Sequence, residues 1–263
     1  MGASLSFEKY EGLGNDFILV DVADADAITS EEATRLCDRR FGVGADGVIL
    51  VMPPVTSASD ARIRVLNADG SVPEMCGNGV RCVALHVAAA RKQANGAVRL
   101  ETDAGERTCV LDGDGMVTVD MGVVRVLGDR AVDVDGRSIV VTVADAGNPH
   151  AVLFGTFARR DVEHLGPRIA THPAFPRGTN VEFAGAPGNG LDLVVWERGV
   201  GITMACGTGA CATVAVACEK GLAVRGKPIA VRLPGGRLDV TVGDDGRTTM
   251  RGPARRVFSG ATG

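Results

Sequence analysis

An internal echo constrains this 263-residue chain more than any other feature. Met75-Cys76-Gly77-Asn78-Gly79 returns 130 positions later as Ala205-Cys206-Gly207-Thr208-Gly209, and each copy opens an apolar, alanine-rich stretch. Gly14-Asn15-Asp16-Phe17, running into Ile18-Leu19-Val20, is answered by Gly147-Asn148-Pro149-His150, running into Ala151-Val152-Leu153, with Asn15 and Asn148 133 positions apart. One glycine-rich loop matching another is chance. Two landmarks in the same order at nearly one offset mark a duplicated unit. With two copies the chain is a pair of related domains, and its length lets each bury a core of its own. The expected boundaries are 1–121 plus 253–263 for the domain carrying Cys76, and 122–252 for the domain carrying Cys206.

Local patterns fill in the two halves. Thr29 with Glu32 forms a capping box that opens a helix through Cys37 to Arg40. A helix is expected after Cys76 to about Lys92 and another after Cys206 to Lys220, with Gly221 just past its end. Met116–Val119, Ser138–Val143 and Leu191–Trp196 read as short strands. Ile229–Leu233 and Arg237–Val242 flank Pro234-Gly235-Gly236, a hairpin signal. The chain is therefore α+β, rich in strands, with one important helix in each half. It has a single Trp196 and a single Tyr10, so its cores are built from Val, Leu, Ile and Ala.

Charge and composition exclude several functions. A net charge of −4 and no long basic run argue against a nucleic-acid partner. Paired arginines such as Arg159-Arg160 and Arg255-Arg256 read as solvated surface charge. No apolar stretch is long enough to span a bilayer, no leader pattern stands at the start, and a cytoplasmic location is expected. Met1–Ser6 fits a myristoylation pattern too short and common to carry weight. Seven cysteines, an odd count, do not suggest a disulfide framework. Neither the cysteines nor His86, His150, His164 and His172 show metal-ligand spacing, so no metal is expected. Cys37 and Cys109 read as small buried hydrophobes. Gly42-Val43-Gly44-Ala45-Asp46-Gly47 matches Gly-x-Gly-x-x-Gly but lies between a helix and a following strand, the reverse of the dinucleotide-binding context.

The chemistry concentrates at the two Cys-Gly-x-Gly segments. The first N–H groups of a helix lack internal partners, and the helix dipole makes that end partly positive. A carboxylate can dock there, because glycine admits close approach. A cysteine there is expected to have a stabilised thiolate. Two such mouths sharing one ligand would set a sulfur on either face of the carbon beside the carboxylate. One sulfur could remove an α-proton while the other returns one, with the carbanion's charge held by the aimed N–H dipoles. Neither pyridoxal nor metal is needed, and no cofactor is expected. A buried inert thiol explains either cysteine alone; it does not explain the pair.

Several ordered segments together resemble the diaminopimelate epimerase family. They are Gly12–Phe17, Asn67-Ala68-Asp69-Gly70-Ser71, Glu74–Gly79 with Arg81-Cys82, Gly147–His150, Gly178–Phe183, and Trp196–Gly201 leading into Ala205–Gly209. The resemblance implies a pyridoxal-independent enzyme that interconverts L,L- and meso-2,6-diaminopimelate for lysine and cell-wall synthesis. It implies two pseudo-symmetric domains, each a mixed, barrel-like sheet wrapped around a central helix, closing over a small amino-acid substrate, and a homodimer. Cys76 and Cys206 are implied as the acid/base pair. Gly77-Asn78 and Gly207-Thr208 would cradle the reacting carboxylate. Asn15, Asn67, Asn148, Asn180 and Arg198, with Gly47 and Glu197, would hold the rest of the substrate. His150 and Glu197 would tune the cysteines.

Two departures stand out. Ile202 replaces a glutamate usual in the family, so hydrogen bonding before the second cysteine must be arranged differently. Gly47 stands where some members carry a substrate-contacting glutamine. Proline racemases share the scaffold but typically carry histidine where this chain has Asn78. A thiol redox switch or a binding module is the non-enzymatic alternative.

Overall fold

The computed structural model describes residues 4–73, 76–185 and 190–262. Glu74 and Met75 of the first cysteine motif, and Met1–Ala3 of the N-terminal pattern, lie outside the described residues. The chain forms two compact units, Met1–Val119 with Gly252–Gly263, and Asp120–Arg251.

The first unit contains β1 (Ser6–Gly12), β2 (Asn15–Asp21), α1 (Ser30–Cys37), β3 (Gly47–Met52), β4 (Ala61–Asn67), α2 (Gly77–Ala90), β5 (Gly96–Thr102), β6 (Gly105–Leu111) and the start of β7 (Met116–Val123). The second contains β8 (Arg125–Val134), β9 (Arg137–Asp145), β10 (Pro149–Phe154), α3 (Arg159–Ala170), β11 (Asn180–Gly185), β12 (Leu191–Glu197), β13 (Gly201–Ile202), α4 (Gly207–Glu219), β14 (Ile229–Leu233), β15 (Gly236–Val242) and most of β16 (Arg247–Pro253). The last strand, β17 (Arg255–Ala261), belongs to the first unit.

Strand pairing makes the duplication explicit. In the first unit the order is β17-β1-β2-β3-β4-β5-β6-β7, antiparallel except at β2–β3 and β4–β5. In the second it is β8-β9-β10-β11-β12-β14-β15-β16, antiparallel except at β10–β11 and β12–β14. Each parallel step is bridged by a helix, as a parallel crossover requires. The copies differ by a permutation: β8 precedes its unit, whereas its counterpart β17 is supplied from the chain's end.

Each sheet curls around one helix. The helix α2 packs on β17 and β1 at one side and on β5 and β6 at the other; α4 does the same with β8 and β9, and with β15. Both helices are almost wholly buried, which their apolar, alanine-rich sequences permit. The outer face of each sheet carries the second helix, α1 on β3 and β4, and α3 on β8, β11, β12 and β13. Strands caught between two helices are apolar on both faces. Val48 and Leu50 of β3 join the cluster under α1, while Ile49 points toward α2.

The α+β class and the central helices agree with the sequence reading, with refinements at the helices. The capping box is present, Thr29 Oγ1 accepting from the Glu32 amide at 3.2 Å, but α1 stops at Cys37 rather than Arg40. Asp38 ends it by accepting the amides of Arg40 and Phe41 at 2.7 and 2.8 Å. Gly221 takes a left-handed φ of 70° just beyond α4. The helix α3 had no clear sequence signal: its N-cap is Ala158, without a capping side chain, and Gly166 and Pro167 break the helical pattern of the sequence although the helix runs through them to Ala170. Gly166 is nevertheless required, because a Cβ there would lie 2.7 Å from the Trp196 ring.

Candidate active site

The topology gathers the candidate residues at the N-terminal mouths of α2 and α4. In the first unit Phe17, Gly47 and Asn67 lie side by side on β2, β3 and β4, with Asn15 opening β2. In the second, His150 and Asn180 are paired, and Glu197 lies one step beyond the Val181–Trp196 pair. Strand register and the helix caps put these positions in correspondence: Phe17 with His150, Gly47 with Asn180, Ile49 with Glu182, Asn67 with Glu197, and Cys76 with Cys206.

Both cysteines are the N-cap residues of their helices. Cys76 Sγ accepts from the Gly79 amide at 3.4 Å, and Cys206 Sγ from the Gly209 amide at 3.4 Å. Those are the third amides of the helices. The amides that open the helices, on Gly77 and on Gly207 and Thr208, have no intrahelical acceptor and can receive an anion. A side chain at Gly79 would sit 2.7 Å from Ile49 Cδ1 and 3.1 Å from Cys76 Sγ. One at Gly209 would sit 3.0 Å from Glu182 Oε1 and 3.2 Å from Cys206 Sγ. Only glycine fits between each sulfur and the strand beneath it.

The first mouth is braced by Arg81, fully buried on α2, whose Nη2 donates to Asn78 Oδ1 at 2.9 Å and whose Nε donates to the Pro253 carbonyl at 3.2 Å. Asn67 Nδ2 donates to Ser71 Oγ at 2.9 Å. Beside Asn15, Asp16 pairs with Lys9 at 2.7 Å and Arg39 at 2.6 Å. Burial alone would raise the Asp16 carboxyl, but bonds from Arg39 and Lys9 prevail and hold it at about 2. A Cβ on Gly47 would lie 2.8 Å from the Leu66 carbonyl, so this position has no room for a side chain.

The second mouth is charged. His150 is fully buried, with Nδ1 2.7 Å from Glu182 Oε1 and Nε2 2.8 Å from Asn148 Oδ1. Asn180 Nδ2 donates to the Pro149 carbonyl at 3.3 Å, and its Oδ1 accepts the Arg198 amide at 2.9 Å, so this side chain ties β10 to the end of β12. Arg198 Nη1 donates to the Arg177 carbonyl at 2.8 Å. Thr203 Oγ1 donates to Glu197 Oε1 at 2.6 Å. Ile202 sits opposite Trp196 and packs on the apolar cluster under α3, so the loop before Cys206 is held by Thr203 instead of a glutamate at 202.

The expected low thiol at a helix mouth does not hold at Cys206. Burial pushes its pKa well above the usual value, and the charges of Glu197 and Glu182 push the same way, against weaker help from Thr208 and the Gly209 amide. The Glu197 carboxyl is itself raised, by burial first, despite its bond from Thr203. Burial and the two carboxylates thus both favour the thiol form at Cys206. Cys37 and Cys109 fit the inert reading, burial raising them to about 11 and about 12. None of the seven cysteines is in a disulfide.

The two roomier grooves of the first unit, about 490 and 700 Å³, are lined by Asp21 and His86 and do not include Cys76. Cys76 lines a small recess with Ile63, Val65 and Pro73. Among the described residues no cluster of three metal-binding side chains occurs, and no helix is long and apolar enough to cross a membrane.

Comparison with known proteins decides the family. The profile of the family described as diaminopimelate epimerase matches residues 7–127 and 142–257. A diaminopimelate epimerase from a Synechococcus species is 46% identical over 287 residues, covering 100% of this chain and 99% of that protein. The chain belongs to the diaminopimelate epimerase family. Another member, from Microcystis aeruginosa, is 44% identical over 281 residues, covering 97% of this chain and 98% of the relative. Among solved structures, a probable proline racemase from Agrobacterium radiobacter superposes with a TM-score of 0.77 at 18% identity, covering 98% and 93% of the two chains. A hydroxyproline epimerase from Agrobacterium vitis gives 0.74 at 20%, covering 98% and 92%. These distant likenesses concern the fold. This epimerase-family member is an isomerase by its family.

Sequence reasoning gave no role to Glu182, Arg81 or Thr203; Arg81 and Glu182 entered only as parts of matching segments. The available signal for Glu182 was a lone carboxylate at an inward position of the otherwise apolar strand Asn180–Gly185.

Proposed function

We propose that this chain interconverts L,L- and meso-2,6-diaminopimelate by two-base catalysis, with Cys76 and Cys206 acting on opposite faces of one α-carbon and no cofactor, in the supply of lysine and cell-wall precursors. The observation that carries this reading is that each cysteine caps the central helix of one copy of a duplicated unit, in a chain of this family.

In the direction that begins with Cys206 as thiol, a thiolate at Cys76 takes the α-proton and Cys206 delivers a proton to the other face. The reverse direction exchanges the roles. The carbanion's charge spreads into the carboxylate, held by the amides of Gly77, Asn78, Gly207 and Thr208. Once Cys206 has given up its proton, Glu197 and Glu182 make its sulfur a stronger base for the return, which a weakly acidic α-carbon demands. His150 and Glu197 tune this sulfur. Asn15, Asn67, Asn148, Asn180 and Arg198, with Gly47 and Glu197, take the remaining ammonium and carboxylate groups, and a guanidinium fork suits the distal carboxylate. The enzyme acts as a homodimer in the cytoplasm.

The test is turnover of L,L-diaminopimelate by the reduced protein and by Cys76→Ser and Cys206→Ser variants. Each substitution should cost about 10³-fold in kcat, the scale of a lost acid/base group. In deuterated water early label should appear in the inverted product. Equal label in substrate and product would mean a single base, and turnover of another amino acid alone would reassign the substrate.

A further inference from the structure

Glu182 has no part in the scheme so far except through its charge, yet its placement is specific. It is fully buried on β11, facing the first turn of α4. Its Oε1 meets His150 Nδ1 at 2.7 Å, and its Oε2 is buried without a hydrogen-bond partner. A buried carboxylate with one oxygen unsatisfied is costly, and neighbouring strands offer apolar residues at such positions, so packing does not explain it. The counterpart in the first unit is Ile49 of β3, paired with Val65 of the neighbouring strand β4.

The hydrogen bonds fix a direction. Asn148 Oδ1 accepts from His150 Nε2, so the imidazole carries a hydrogen on Nε2. The short gap to Glu182 is then bridged by a hydrogen between the carboxyl Oε1 and Nδ1. With its oxygen committed to His150, the Asn148 amide has its NH2 free to donate. Without Glu182, the imidazole can place its hydrogen on Nδ1 instead; Nε2 then accepts, the Asn148 amide turns over, and its carbonyl is what remains for a ligand.

We propose that Glu182 is a positioning residue that acts through His150 to hold the Asn148 amide with its NH2 turned toward an anionic oxygen of the substrate. The function of Asn148 in this chain rests on the reading given above; the His150 tautomer does not. Glutamine at 182 can donate to Nδ1 and so keeps the tautomer, whereas leucine cannot.

The experiment compares wild type, Glu182→Gln and Glu182→Leu by kinetics with L,L-diaminopimelate and by 15N NMR of the imidazoles without substrate. Glu182→Leu should raise KM by about tenfold or more, the effect of losing one hydrogen bond to a charged group, with a smaller change in kcat. It should also lose the Nε2–H form of His150. Glu182→Gln should keep both KM, within about threefold, and the Nε2–H form, with Nδ1 a proton-free acceptor. In an Asn148→Ala background Glu182→Leu should leave KM unmoved. The proposal is overturned if Glu182→Leu keeps the Nε2–H tautomer or the wild-type KM. It is also overturned if Glu182→Gln raises KM as far as leucine does, because charge and not orientation would then be the contribution. Should Glu182→Leu not fold, the glutamine variant decides by the same two readings. A wild type inactive on diaminopimelate would sink the functional reading while the tautomer still tests this one.

Discussion

The two helix mouths share a backbone plan and differ in what lies beneath the sulfur. Under Cys76 the strands present Phe17 and Ile49; under Cys206 the same positions present His150 and Glu182. Where the first unit ends β4 with Asn67, the second ends β12 with Glu197. The support for the neighbouring asparagine also differs. Beside Asn15 a surface-linked ionic network of Lys9, Asp16, Arg39 and Asp46 fixes the loop. Asn148 is fixed by a buried imidazole. A duplicated scaffold has thus kept its geometry while its two thiols acquired unlike surroundings.

The comparison can be broken most severely by copying one bed into the other. Ile49→Glu places a carboxylate under Cys76 with Phe17 where the second unit has His150. An uncompensated buried charge of this kind should cost about 3–5 kcal/mol in a denaturant titration. A variant as stable as wild type would show that the first bed tolerates charge and that the asymmetry is incidental. Next in size, Gly79→Ala and Gly209→Ala should each lose about 1–3 kcal/mol from overpacking, with activity falling in both. The Gly209 variant, whose new methyl lies between Glu182 and Cys206, should lose more kcat per unit of stability lost.

Thiol reactivity sharpens the same contrast. Iodoacetamide at pH 8 should modify Cys76, which is partly exposed, before Cys206, which is buried and held protonated, by about tenfold or more. Peptide mapping that finds Cys206 labelled first would reverse the assignment of the resting thiol. The smallest expected effects concern the outer helices. Thr29→Ala removes the cap of α1 and should cost about 1 kcal/mol, whereas Ala158→Ser supplies the cap that α3 lacks and should gain about 0.5–1 kcal/mol. Equal losses from both changes would mean that capping is not what distinguishes these helices.

Much of this fold could be read before any coordinates. The repeated Cys-Gly-x-Gly signals stood out because a buried alanine-rich helix opened by glycine leaves few other interpretations. The hairpin around Pro234–Gly236 was legible because its turn residues are local. Helix α3 was not, since the glycine that interrupts its pattern is dictated by Trp196, a residue 30 positions away that only packing brings near. Gly47 was noticed as a departure, but its cause, the Leu66 carbonyl on the next strand, is a matter of register.

The sequence by itself determined the duplication, the α+β class and which cysteines open the two central helices, because turn chemistry, capping and apolar period act over a few residues. It pointed to His150 and Glu197 only through family likeness. Tertiary structure alone decided that Glu182 lies under the second mouth, that His150 joins it to Asn148, and that burial and two carboxylates surround the Cys206 sulfur. Those outcomes depend on which face of a strand meets which helix and on how far water is excluded, and both are settled only when the sheet closes around its core.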